Sequence, residues 1–282
     1  LPDPIEIVVA AHFESIHESM KSAQVAMKHE VTAVELMDKI ILDCTKESIE
    51  YSKNRYFVEG DPKAILMISG HWEADEAAIM ASAAPPMVYD YSGFPPETYR
   101  IVYPALGAPE LAAKARDLLA AAGIAAQLDD RQGFDHGTVA PLAVMYPDAD
   151  IPVFQISLLK SYDPAAHFAI GRALAPLRNE GVVIIGSGLS YHNLRLFGPG
   201  AKEPSEAFDA WLGQTLAQEP KGRTAALLDW ESAPFARVCH KEEDHLVPLF
   251  VALGAAEADA ATRIYHDKML FGGVTASSYR FG

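Results

Sequence analysis

Apolar and polar positions recur along this chain with two periods. Ala64-Ile65-Leu66-Met67-Ile68 is a continuous apolar run, the pattern of a strand buried on both faces. It stops at Ser69-Gly70, with His71 and Trp72 immediately beyond. Residues 182–186 repeat the design and lead through Gly186-Ser187-Gly188 to His192-Asn193, and residues 153–158 are predicted as a further buried strand. Further strands are predicted over 5–10 and 124–128. Between them the spacing lengthens to that of helices. Residues 14–28 carry Ile16, Met20, Ala23 and Met27 on one face, and 32–44 open on a capping box, Thr32 to Glu35, before a stripe of Met37, Ile40, Ile41 and Cys44. Helices are also predicted over 109–122, stopped by Gly123, and over 164–178, 205–216 and 245–253. Residues 263–269 and 275–280 alternate like antiparallel edge strands. Strand and helix taking turns predict a single α/β domain with a central mixed, mostly parallel sheet flanked by helices.

Half of the 282 residues are apolar, enough for a sizeable core. The formal net charge of −15, with no basic run, argues against nucleic acid or an anionic membrane surface as partner. Cys44 and Cys239 are the only cysteines and lack metal-type spacing, which predicts a reducing, cytoplasmic setting without a disulfide framework. No apolar run approaches the roughly 20 residues that span a bilayer. No charged region followed by an apolar one opens the chain, so no signal peptide is expected, and Leu1 in place of Met predicts a trimmed start.

Ten histidines make imidazole the richest chemistry available. His17, His29 and His167 fall on predicted helix surfaces and read as solvated, while His266 reads as structural in an edge strand. Placement singles out His12, His71, His136, His192, His240 and His245. His71 and His192 follow strand ends, His136 sits in the glycine-flanked stretch Gly133 to Gly137, and His245 opens a helix after Glu242-Glu243-Asp244. Ligands of open α/β sheets gather beyond the carboxyl ends of the strands. Four imidazoles able to converge on one such rim suit a metal site with an acid/base helper. Zinc, iron, copper and nickel all accept neutral imidazole, so residues alone do not choose the metal. Glu73, Glu243 and Asp244 are the carboxylates placed to complete a 2-His-1-carboxylate face, and Glu73 is also the one general base a zinc hydrolase could use. Trp72, Phe94, Tyr99 and Tyr191 can serve as aromatic walls for a flat ring or, more simply, as core packing.

Six segments then occur in a telling order: Ser69 to Glu73; Tyr89 to Tyr99 with Tyr103-Pro104; Phe134 to Gly137; Met145 to Val153; Gly186 to Gly188 with His192-Asn193-Leu194; and Asp244 to Leu249. Together they resemble the class III extradiol ring-cleavage dioxygenases of the DODA type, relatives of the catalytic LigB subunit and of 4,5-DOPA dioxygenase, over about residues 62–282. The resemblance implies that His71 and His245 are metal ligands and that His192 lines the same pocket as a further ligand or a substrate-side imidazole. It implies that His136 is the acid/base residue. The metal implied is non-haem Fe(II), with Zn(II) the alternative; the partners implied are a small catechol and O₂, acting in a monomer or a homo-oligomer.

The opening of the chain departs from that pattern. Members of the family begin with a strand ending in a ligating His-Gly, and no His-Gly precedes His136 here. Residues 32–62, and His12-Phe13-Glu14-Ser15, are instead similar to the substrate-side portion of FAD-linked oxidases of the glycolate/D-lactate dehydrogenase kind. Nothing resembles their flavin-binding domain, so no FAD is expected. The expected division is an atypical segment over 1–62 and a LigB-like domain over 63–282, joined at Gly60-Asp61-Pro62. His12, which follows the strand-like run at 5–10, is the candidate to replace the missing ligand. The alternative to an extradiol dioxygenase is an inactive LigB-fold protein or fusion acting as a binding module.

Overall fold

The structure, a computed structural model, describes residues 62–282. The strand expected over 5–10, the helices over 14–28 and 32–44, and His12 lie outside the described residues.

Strand β1 (Ala64–Ala74) is the axis of a five-stranded sheet. Its partners are β4 (Val153–Leu159) and β5 (Val182–Ser187), both parallel to it, with Ile68 opposite Ile156 on one side and Gly186 on the other. Residues Ala64 to Ile68 are wholly buried, which explains their unbroken apolar run. After β1 the chain reverses at Asp75-Glu76 into β2 (Ala77–Met80), which is antiparallel to β4 and parallel to β3 (Ala126–Asp129). The strand order is β3-β2-β4-β1-β5, the mixed, mostly parallel sheet of a single α/β domain. β2 is too short, and too rich in alanine, to stand out in the sequence.

Helix α1 (Pro109–Ala121) packs on β2 and β3, and α2 (His136–Met145) on β1 and β5. Helix α3 (Pro164–Leu174) lies against α7 (Val247–Ala255), with Phe168 and Phe250 stacked at 5.5 Å. Helix α4 (Lys202–Leu216) is followed by α5 (Pro220–Leu228) and the single turn α6 (Ala236–Cys239). Strands β6 (Ala261–Leu270) and β7 (Val274–Phe281) pair only with each other, as an antiparallel ribbon packed on α4. They alternate as the sequence predicts, yet they edge no larger sheet. Among the described residues no helix is long and apolar enough to cross a membrane.

Four local expectations are corrected. His71 lies inside β1, where the pairing with β4 shifts register between Ile68 and Glu73; such an irregularity re-aims side chains beside a site. His136 is the first residue of α2 rather than part of a loop, and α2 escapes the sequence because it is apolar on every side. His245 precedes α7 by two residues instead of opening it. His167 is fully buried, not solvated: its Nε2 accepts from the Leu159 amide (3.1 Å) and its Nδ1 lies 2.8 Å from the Asp163 carbonyl.

His240 is likewise wholly buried, with Nε2 3.1 Å from the Ser190 carbonyl, and burial pushes its pKa from 6.5 down to about 4. The unfolded chain therefore binds a proton in that interval that the native chain refuses, so stability is full above pH 6.5 and falls as pH drops toward 4. A urea-unfolding series from about pH 7.5 to about pH 4 should show this decline. His240→Gln should flatten its slope whatever its effect on the midpoint at neutral pH; an unchanged slope would exclude His240 as a contributor.

Candidate metal centre

The carboxyl edge of β1 and the chain entering α7 bring four imidazoles together. The His71 and His245 Nε2 atoms lie 3.1 Å apart. The His71 ring contacts that of His136 with centroids 3.9 Å apart, and His192 stacks on His245 at 3.4 Å and 22°. Two carboxylates stand behind these pairs. Asp244 Oδ2 is 2.7 Å from His245 Nδ1 and 3.5 Å from His192 Nδ1. Asp90 Oδ2 is 2.7 Å from His136 Nδ1 and 3.4 Å from His71 Nδ1.

This arrangement fixes protons. A neutral imidazole carries one N–H, and a carboxylate only accepts, so the His245 Nδ1 atom donates to Asp244 at 2.7 Å and its Nε2 is left as a bare lone pair. That lone pair faces His71 Nε2 across 3.1 Å, so the contact is a hydrogen bond when His71 carries its proton on Nε2 and a ready pair of ligands when a cation lies between the two nitrogens. Metal–imidazole bonds of about 2.0–2.1 Å place two nitrogens at such a separation, and a carboxylate behind each ring is the usual support of a metal-ligating histidine. The residues present therefore fit a divalent metal. Burial, helped by the neighbouring His136 and His245, pushes His71 down to about 4 and keeps it in the unprotonated form that ligates. Burial raises the Asp244 carboxyl, but its hydrogen bonds with His192 and His245 outweigh that and hold it well below the usual range. The same balance leaves Asp90 lowered, through the ring and backbone of His136.

Close backbone approach builds the cluster. An added Cβ on Gly188 would lie 2.1 Å from the His245 carbonyl oxygen, and one on Gly137 would lie 2.3 Å from Ser69 Oγ and 2.9 Å from the His71 ring. Leu189 N–H donates to that same His245 carbonyl (3.0 Å), and Ser187 Oγ donates to the Gly137 carbonyl (2.5 Å). Beneath His136, buried Asp135 caps α2 through the Thr138 amide (3.0 Å) and accepts from Ser69 Oγ (2.7 Å) and Gln155 Nε2 (3.1 Å). His192 is pinned by its amide to the Cys239 carbonyl (2.9 Å).

Of the candidates from sequence, His71, His136, His192 and His245 converge, and Asp244 joins them as their support. Glu73 instead accepts from Tyr162, and Glu243 pairs with Arg237 at 2.7 Å. Tyr191 is core and Trp72 packs against it. Phe94 is 58 % exposed and belongs to an aromatic group with Tyr89, Tyr91 and Tyr99, in which Tyr91 stands edge-on to His136 at 5.8 Å. Asp90, between two of these tyrosines, carries no periodicity or motif spacing that would single it out.

An imidazole cluster that fits a divalent metal, at the carboxyl edge of an α/β sheet and with an aromatic flank, suits oxidative or hydrolytic work on a flat substrate. The family of the catalytic LigB subunit of aromatic ring-opening dioxygenase matches residues 52–282, and the chain belongs to it. A 4,5-DOPA dioxygenase extradiol of Beta vulgaris is 38% identical over 242 residues, covering 84% of this chain and 89% of that protein. One of Escherichia coli K12 is 34% identical over 226 residues, covering 78% and 83%. The crystal structure of an uncharacterized Escherichia coli K12 protein superposes with a TM-score of 0.70 at 28% identity, covering 89% of this chain and 95% of that one. The chain is thus an extradiol, aromatic ring-opening dioxygenase, a metal-dependent enzyme acting on a small aromatic substrate with O₂. The inactive alternative finds no comparable support.

Gly188→Ala forces the contact with His245 backbone open, a strain of about 1–3 kcal/mol. Zinc titration and urea unfolding of this variant should show weaker metal affinity and a lower midpoint; wild-type zinc affinity would show that His245 does not depend on this approach.

Proposed function

We propose that the site cleaves the ring of a catechol beside its hydroxyl pair, with His71 and His245 as metal ligands, Fe(II) as the active metal and Zn(II) able to occupy the same nitrogens. The observation that carries this reading is the approach of the His71 and His245 Nε2 atoms to 3.1 Å, with Asp244 bonded to the far nitrogen of His245 at 2.7 Å and Asp90 3.4 Å from that of His71. His12, outside the described residues, is the candidate to supply the ligand that the missing His-Gly would have given. A metal held there supplies Lewis acidity and a common anchor for catechol and O₂.

The side chains do the rest. His136 accepts a proton from the catechol hydroxyl and returns it during ring opening, work suited to an imidazole at neutral pH. His192, stacked beside His245 with its Nδ1 turned to Asp244, lines the same pocket as a further ligand or a substrate-side imidazole. Tyr91 and Phe94 offer ring faces to a flat substrate. The extradiol relatives named for 4,5-DOPA make DOPA the first catechol to try. We place the protein in the cytoplasm, where the free, buried Cys239 stays reduced.

Reconstitution of the full chain with Fe(II) without oxygen, then exposure to catechol, protocatechuate or DOPA, should give iron-dependent oxygen uptake and a yellow ring-opened product. No uptake with any of the three would sink the proposal. His71→Ala and His245→Ala should each lose bound metal, and His12→Ala should weaken it. His136→Ala should keep metal content near wild type while turnover falls about 10²–10⁴-fold; full activity in that variant would remove His136 from the mechanism.

A further inference from the structure

Asp90 enters the site from a segment far from the imidazoles it touches. Phe134 N–H donates to the Pro86 carbonyl and Val88 N–H to the Phe134 carbonyl, both at 2.8 Å, so residues 86–90 run alongside 133–136 as a short parallel bridge. At the end of that bridge the Asp90 carboxylate grips His136 twice. Oδ1 accepts the His136 backbone N–H at 3.0 Å, a donor that the first turn of α2 would otherwise leave unused, and Oδ2 lies 2.7 Å from ring Nδ1. Backbone and ring of one residue are thereby fixed by the two oxygens of one side chain.

The consequence concerns which nitrogen holds the proton. A carboxylate offers lone pairs only, so the nitrogen facing Oδ2 must carry the hydrogen, and the other nitrogen of the neutral ring must lack it. We infer that Asp90 is a positioning residue that keeps the His136 proton on Nδ1 and so presents Nε2 to the substrate as the accepting atom. The inference rests on the acid/base reading of His136 given above and deepens it. Asp135, next in the chain to His136, cannot do this work, because its oxygens are taken by Thr138, Ser69 and Gln155.

Asp90→Asn separates this role from simple packing, since the shape of the side chain is kept. The His136 backbone N–H still needs an acceptor and claims the amide oxygen, which turns the NH₂ toward Nδ1. That nitrogen must then accept, and the ring proton moves to Nε2, the wrong atom for a base. Replacing a carboxylate by an amide behind a catalytic imidazole is costly for this reason.

The first measurement uses the metal-free full chain with ¹⁵N-labelled histidine, where long-range ¹H–¹⁵N spectra distinguish the two tautomers. Wild-type His136 should carry its proton on Nδ1 and the Asp90→Asn variant on Nε2. A wild-type proton on Nε2, or one that stays on Nδ1 in the variant, overturns the inference. The second uses Fe(II)-loaded protein with DOPA, with kcat expressed per bound metal. Asp90→Asn should lower kcat about 10²–10⁴-fold with KM changed little, and should add nothing further in a His136→Ala background. Losses that multiply in the double variant would also overturn it. If His136→Ala by itself kept full turnover, the acid/base reading would fall, while the tautomer measurement would still decide the assignment of Asp90.

Discussion

The approach of two imidazole nitrogens, His71 Nε2 and His245 Nε2, to 3.1 Å is the contact on which the rest of this structure depends. Burial keeps the His71 ring in its neutral form, so no charge on that ring opposes the contact. It persists because His245 has its opposite nitrogen committed to Asp244, and because Gly188 and Gly137 let the surrounding backbones close on the pair. The arrangement fits a divalent metal, and the surrounding sheet holds it in place.

The sheet carries it through β1. Its first five residues are held between two parallel neighbours and shielded on both faces, so the position of His71 is set by a rigid element and not by a loop. The chain before α7 reaches the same edge because Gly188 lets its backbone pass within contact of His245, and Gly137 lets α2 settle on Ser69 and His71. Small residues at the ends of buried strands therefore act here as clearances between large, chemically active ones.

Much of this was legible in residues alone, and what was not has physical causes. Unbroken apolar runs mark β1 and β5, and a mainly apolar run interrupted by Gln155 and Ser157 marks β4, because parallel strands covered on both faces need them. The histidines just beyond those runs are visible for the same reason. His136 is visible by type and by the glycines around it, but its helix is not, since α2 is apolar all round and has no amphipathic period to betray it. His167 misleads in the opposite sense: a polar residue on a helix reads as solvated, yet its two nitrogens bond backbone groups within the core. Asp90 is the deepest omission. One carboxylate among 38 acidic residues acquires meaning only when the chain folds residues 86–90 beside 133–136.

The two supporting carboxylates differ in how they are tied to their imidazoles. Asp244 and His245 are consecutive, so that half of the centre moves as one piece of chain. Asp90 and His136 are separated by 46 positions and meet only through the bridge between two loops. The segment that delivers Asp90 also carries Tyr91, Phe94 and Tyr99, so the carboxylate beside His136 and the aromatic flank share one stretch while Asp244 and His245 arrive on another. Rewriting that one surface loop can therefore alter the aromatic flank while the Asp244–His245 unit keeps its place.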